Sequence, residues 1–230
     1  MQSSALSFLD SHLANITPLP NEIRRLFHGR GRAFEGLEQL TIDWLDGQIL
    51  ISIFKEVDDA FIAELKIHVT EWLKLQAWQS QVRSVLLQHR YQLNSPIEVL
   101  FGELKQQQEV IENTLKFRLD LGQKQNNGLF LDMRYGRKWV LENSKNKRVL
   151  NLFAYTCGFS VAALAGDAQS VVNLDMAKAA LAKGRVNHQL NGHDLSQVSF
   201  LGHDLFKSWG KVKKYGPYDL IIIDPPSFQK

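Results

Sequence analysis

The stretch from Val149 to Asp175, VLNLFAYTCGFSVAALAGDAQSVVNLD, constrains what this chain can fold into more than any other. Val149, Leu150, Leu152 and Phe153 form the apolar run of a strand buried on both faces. Tyr155-Thr156-Cys157-Gly158 interrupts it, and Ser160 to Ala165 continues in small helix formers. Val171, Val172 and Leu174 give a second buried strand that ends at Asp175. Strand, turn, helix and strand in one run make half of a nucleotide-type α/β unit, where ligands bind beyond the carboxyl ends of the strands.

The turn restricts the ligand. A dinucleotide site asks for G-x-G-x-x-G, because the pyrophosphate needs bare backbone beside it. Here there is one glycine, Gly158, and a pyrophosphate would meet the side chains of Tyr155, Thr156 and Cys157. A single carboxylate suits the backbone N–H groups of the turn and helix start better, with Asp175 left for a ribose diol. S-adenosylmethionine offers both groups. A buried βαβ unit with an incidental aspartate fits the same spacing.

Downstream, Met176 to Leu190 reads as a helix stopped by Asn191-Gly192, and Val198–Leu201 and Tyr218–Ile223 read as further strands. Three strands thus carry an aspartate at or just past their carboxyl ends: Asp175, Asp204 and Asp224. Converging carboxylates suit a cationic, hydroxyl-bearing ligand; each alone could cap a helix, a reading that fits Asp204 as well as a ligand contact does and fits Asp224 less well. In Asp224-Pro225-Pro226-Ser227-Phe228 the prolines fix φ and stiffen the turn that presents Asp224, while Phe228 can stack a flat substrate.

The segments NLFAYTCGFSVAAL, VVNLDMAKAAL, VNHQLNG and DLIIIDPPSF, with GLFLDMR at 128–134, resemble the class I S-adenosylmethionine-dependent methyltransferases. Within these the resemblance is to the large-subunit ribosomal-RNA methyltransferases and their relatives, from about Gln39 to the last residue. It implies a Rossmann-like α/β domain whose first turn, at Phe153, Tyr155, Thr156 and Gly158, holds the methionine part of the cofactor. Asp175 would take the ribose, Met176 would lie beside the adenine, and Asp204 would face the adenine amine. Phe130, Asp132 and Arg134 would close over the cofactor, and Asp224, Pro225, Pro226 and Phe228 would line the catalytic floor. The family continues beyond DPPSFQK, so the sequence reads as the front part of a longer enzyme. Its fourth strand is then expected to be an apolar edge open to self-association, and cofactor binding to be weak.

Ahead of this lies a small α+β domain over residues 37–121, read as two strand pairs around a helix. It includes a hairpin turned at Asp46-Gly47 and the tryptophans Trp44, Trp72 and Trp78 as packing residues. The expected organisation is therefore 1–36, 37–121 and 122–230. In the first segment Arg24, Arg25, His28, Arg30 and Arg32 fall close together, and glycines alternate with bases in HGRGR. That pattern suits RNA phosphates, as it would a solvated basic loop. The net charge of +3 by itself decides nothing about nucleic acid. With one cysteine there is no disulfide framework, and with no basic leader or long apolar run the expected compartment is the cytoplasm, with no membrane partner.

Methylation at carbon 5 of a pyrimidine requires a thiolate that adds to the base, and the single cysteine, Cys157, lies in the cofactor turn. The residues present therefore point to a base nitrogen of large-subunit ribosomal RNA as acceptor. Two rivals are an RNA-binding module that keeps this fold without chemistry, and a nucleotide-dependent oxidoreductase, which the lone Gly158 disfavours.

Overall fold

The structure, a computed structural model, describes residues 2–123 and 125–225, with nothing stated of the side chains of residues 2–4. It divides into two compact units. The first runs to Val110 and takes in Asp120–Asn127; the second holds Ile111–Leu119 and the chain from Gly128 onward. Pro226 and Phe228 lie outside the described residues.

The first unit opens with α1 (Gln2–Ala14) and contains β1 (Arg24–His28), β2 (Leu40–Trp44) and β3 (Gln48–Ile53). Then follow α2 (Asp59–Trp72), α3 (Gln76–Gln81), β4 (Ser84–His89) and β5 (Ile97–Phe101). Asp46 (φ 53°) and Gly47 (φ 96°) make the two-residue turn between β2 and β3, both left-handed as the twist of a tight hairpin demands. The expected two strand pairs are in fact one sheet, in the order β1-β2-β3-β4-β5, because β3 and β4 pair in parallel across the helical crossover. Residues 1–36 are not a separate segment either. β1 is the sheet's first strand, and Leu6, Leu9 and Leu13 of α1 join the core with Phe61, Leu65 and Val69 of α2. Trp44, Trp72 and Trp78 are all buried in that core.

The hairpin β6 (Gln107–Glu112) and β7 (Leu115–Asp120) divides its residues between the units. The second unit continues through a 3-10 turn at Leu131–Met133, α4 (Arg134–Asn143), β8 (Arg148–Leu152) and α5 (Gly158–Ala165). It ends with β9 (Ser170–Leu174), α6 (Lys178–Leu190), β10 (Val198–Leu201), α7 (Leu205–Tyr215) and β11 (Leu220–Ile223). The four strands run parallel in the order β10-β9-β8-β11. The chain order reverses between β8 and β11, and the crevice outside such a reversal is where ligands bind in open α/β sheets. Leu150, Leu152, Val172, Leu174 and Leu201 pack with Val212 of α7 to form the core. Asn151 and Asn173, cross-strand partners in the buried sheet, are joined amide to amide at 3.0 Å. Among the described residues β11 pairs only with β8, leaving Ile221 and Ile223 51% and 65% exposed.

Candidate active site

The turn after β8 is built from bulky residues in a glycine-like conformation. Phe153, Tyr155 and Cys157 have φ of 55°, 47° and 64°, left-handed at alternate positions. Such residues cost about 1–3 kcal/mol each and persist only where the surroundings over-determine them. The N–H groups of the turn are spent on holding it: that of Ala154 donates to the Leu174 carbonyl (3.1 Å) and that of Cys157 to the Ala154 carbonyl (2.7 Å). α5 starts immediately after, with Cys157 at its N-cap making no side-chain hydrogen bond to the first turn. Gly158, the residue the sequence singled out, does not bend the chain. Its missing Cβ leaves room for Leu129 Cδ1 and Arg137 Cδ, which would lie 3.0 and 3.3 Å from that atom.

Several contacts hold the strained turn in place. The Tyr155 N–H donates to Asp175 Oδ2 (2.8 Å) and the Ala177 N–H to Asp175 Oδ1 (2.7 Å), so the carboxylate ending β9 locks onto the turn ending β8. Thr156 is buried; its hydroxyl donates to the Gly128 carbonyl, and its own carbonyl accepts from Asn187 Nδ2 at 2.9 Å. Gly128 has φ 109°, and a Cβ there would sit 2.9 Å from the Arg118 carbonyl, so only glycine serves. Its N–H donates to Tyr155 Oη (3.1 Å), and the Phe130 and Tyr155 rings meet at 5.2 Å.

Gly184, which the sequence did not mark, completes this support with Asn187 and Asn191 of the VNHQLNG segment. A Cβ on Gly184 would lie 2.2 Å from Cys157 Sγ, so the bare glycine lets α6 seat against the turn. Asn187 also accepts from the Arg118 N–H (2.9 Å), while Asn191 accepts from the Lys116 N–H and donates to the Lys116 carbonyl, fixing β7 beside α6. A glycine in a helix interior, costing about 1 kcal/mol against alanine, was the available signal.

The three strand-end aspartates share the carboxyl edge of one parallel sheet. Asp204 caps α7 through a bond from the Phe206 N–H (2.9 Å), so one oxygen serves the helix and the other can still accept. Asp224 is pushed above the usual carboxylate range by partial burial and then by the charge of Asp132, with Arg137 acting against both. The 3-10 turn therefore brings Asp132 to the field of Asp224. Met176 is 71% exposed next to Asp175, and Pro225 is exposed next to Asp224. Arg134 opens α4, and its carbonyl accepts from Asn113 Nδ2 at 3.3 Å.

Behind the turn lies a buried polar chain. Ser160 Oγ meets His188 Nε2 at 2.9 Å, and His188 Nδ1 meets His193 Nδ1 at 3.0 Å. Burial, then His193 and Arg185, push His188 down to about 3 from 6.5. Burial likewise raises the Cys157 thiol far above its ordinary value, so it stays protonated. A histidine whose folded value is depressed contributes stability above its unfolded pKa, and loses it as the pH falls toward the folded one. The advantage of the protein over His188→Gln is therefore expected to shrink by about 1.4 kcal/mol per pH unit below about 6.5. Urea unfolding of both at about pH 7 and about pH 5.5 tests this, and parallel pH dependences would contradict it.

The basic residues of the first unit are partly engaged. Arg25 forks onto Asp43 at 2.7 and 3.1 Å and meets His28 Nδ1 at 3.1 Å. Arg30 lies 4.2 Å over the Phe54 ring, which Arg90 also approaches at 4.8 Å. Arg24 and Arg32 are exposed, the latter in a left-handed turn with φ 63°.

The profile of a family described as S-adenosylmethionine-dependent methyltransferase matches residues 24–230. The ribosomal RNA large subunit methyltransferase I of Aeromonas salmonicida is 34% identical over 196 residues, covering 84% of this chain and 49% of that protein. The chain thus spans about half the length of this relative. A SAM-dependent methyltransferase from Streptococcus mutans superposes with a TM-score of 0.80 at 24% identity, over 98% of this chain and 58% of its own. A methyltransferase solved in complex with SAH also gives a TM-score of 0.80, at 25% identity, over 100% of this chain and 59% of its own.

Proposed function

Because the chain belongs to the S-adenosylmethionine-dependent methyltransferase family, we propose that the protein transfers a methyl group from that cofactor to a base of large-subunit ribosomal RNA. The observation that carries this reading is the Asp175 carboxylate, locked between the Tyr155 and Ala177 N–H groups at the carboxyl edge of a parallel sheet. Each of its oxygens keeps acceptor capacity for a ribose hydroxyl. The start of α5, which has no side-chain cap, suits the carboxylate of a methionine moiety. Met176 offers an apolar face to a purine, and Asp132 with Asp224 suits positive charge. The residues present therefore fit the cofactor.

When bound, the cofactor supplies an electrophilic methyl on a sulfonium. The protein's own part is alignment, the main lever on a direct displacement. Asp224 accepts a hydrogen bond from the amine or ring N–H of the acceptor base and holds its nitrogen in line, on a backbone stiffened by Pro225. Cys157 is buried and protonated, so it is not the thiolate that a carbon acceptor would need, and the acceptor proposed is a base nitrogen. Incubating the protein with ribosomal RNA and methyl-labelled cofactor, then identifying the labelled nucleoside, tests the reading. An N-methylated base is expected. A 5-methylpyrimidine would require a thiolate from outside this chain and would overturn the choice of atom, and label confined to protein or small metabolites would overturn the RNA reading.

Asp224→Asn separates chemistry from folding. A carboxylate whose folded pKa is raised makes the folded state less stable as the pH climbs from the ordinary carboxylate value through the raised one. The neutral amide removes that effect. The variant is expected to melt no lower than the unsubstituted protein at neutral pH, yet to transfer methyl groups about 10²-fold more slowly or worse. Undiminished transfer would remove Asp224 from the site.

A further inference from the structure

Between residues 176 and 215 the chain carries seven Lys and Arg against two Asp, although the whole sequence has a net charge of only +3. All seven of these cations lie on α6 and α7, the helices before and after β10. Within this stretch lies a cavity of about 380 Å³ between α6 and the end of β10, lined by Lys178, Leu181, Arg185, Phe200, Gly202 and His203. Lys178 and Arg185 stand two helical turns apart on the α6 face that borders the cavity. The Arg185 guanidinium lies 4.5 Å over the Phe200 ring, which orders it without neutralising it. Lys211 of α7 meets His203 Nε2 at 3.0 Å and adds a third cation at the rim. No carboxylate lines the cavity among the described residues. The 460 Å³ cavity of the first unit differs in this respect, since Glu38, Glu56 and Asp58 offset Arg32 and Lys55 there.

A hollow with two cations and an aromatic ring in its lining, a third cation beside His203 and no acid is complementary to phosphate. Its place in the sheet matters as well. Strands about 4.8 Å apart put β10 about 14 Å from β11, so the hollow opens at the edge of the unit opposite Asp224. Resting on the reading of RNA as substrate, we propose that this hollow seats backbone phosphates of the RNA whose target base reaches Asp224. Lys178, Arg185 and Lys211 are positioning residues here: they fix the strand along the carboxyl edge and carry no base specificity.

The test is RNA binding by fluorescence anisotropy as a function of salt, with the protein, the triple variant Lys178→Gln/Arg185→Gln/Lys211→Gln, and a charge-matched Lys66→Gln/Lys145→Gln/Lys147→Gln control. Each lost phosphate contact lowers the slope of log affinity against log salt by about 0.7–0.9. The triple variant is expected to bind ribosomal RNA fragments at least tenfold more weakly with a slope shallower by about two. Its cofactor affinity and melting temperature should match the unsubstituted protein, and the control should keep both affinity and slope. Equal losses in the control would reduce the effect to net charge and overturn the assignment. Tight RNA binding unaffected by the triple variant would overturn it while leaving the proposed function standing. No RNA binding by the unsubstituted protein would overturn both. Competition by inorganic phosphate or a free nucleotide as strong per phosphate as by RNA would reassign the hollow to small anions.

Discussion

Arg137→Met is expected to destabilise the catalytic unit by about 3–5 kcal/mol, the cost of leaving a buried charge unpaired. Arg137 Nε donates to Glu112 Oε1 at 2.6 Å and Nη2 to Glu112 Oε2 at 2.9 Å, with the side chains 3% and 1% exposed. The same Nη2 donates to the Phe130 carbonyl at 2.8 Å, and the aliphatic stem covers the bare Cα of Gly158. One side chain therefore ties the β6 strand, the segment before α4 and the start of α5 together. Removing both charges in Arg137→Met/Glu112→Leu should restore most of the stability, because an apolar pair of similar volume avoids the desolvation that the ion pair must overcome. Denaturant unfolding of the two single variants and the double variant measures the coupling. The rescued protein should still bind cofactor more weakly, since the Phe130 carbonyl loses the Arg137 donor and keeps the longer bond from the Met133 N–H (3.3 Å). A single variant costing less than about 1 kcal/mol would show the pair to be marginal.

Asp175→Ala should have the largest effect on activity. Two backbone donors lose their acceptor: the exposed Ala177 N–H passes to water, while the part-buried Tyr155 N–H is left without one at a cost of about 1–3 kcal/mol. Tyr155 is then free to leave its left-handed conformation, and the turn before α5 loosens. Hydrogen bonds to a charged acceptor are worth about 1.5–3 kcal/mol each, so losing those to a ribose diol weakens cofactor binding about 10²-fold or more. Methyl transfer at limiting cofactor should fall by at least the same factor. Asp175→Asn should lie between, because its amide keeps one oxygen but sets an NH₂ against an N–H. Steady-state kinetics at varied cofactor concentration separate the cases, and an unchanged KM for the cofactor in Asp175→Ala would contradict the role.

The parallel sheet was legible because its strands leave continuous apolar runs: Val149–Leu152 and Val171–Leu174, buried, and Leu220–Ile223, at the edge among the described residues, all appear where those runs stand. The conformation of the turn was not legible. Propensity assigns left-handed backbone to glycine, whereas here it falls on Phe153, Tyr155 and Cys157, held there by Asp175 from another strand. α7 went unread: Gly210 lies inside it and Ser208 departs from helical angles, so local propensity argues against a helix that packing of Val212 onto the sheet holds in place. Arg137 looks in sequence like one more base in RYGRK, and only the fold buries it against Glu112. The parallel pairing of β3 and β4 joins residues more than thirty positions apart, beyond what local periodicity records. Asp204 was readable both as a cap and as a ligand contact, and the cap is made.

The central claim is that the crevice at Asp175 holds S-adenosylmethionine, and the most direct measurement is thermal unfolding with and without it. A ligand at about 100 times its Kd adds about 2.7 kcal/mol to the folded state. The expected result is a rise in melting temperature for the unsubstituted protein that disappears in Asp175→Ala. No rise in the unsubstituted protein, or an equal rise in both, would contradict it.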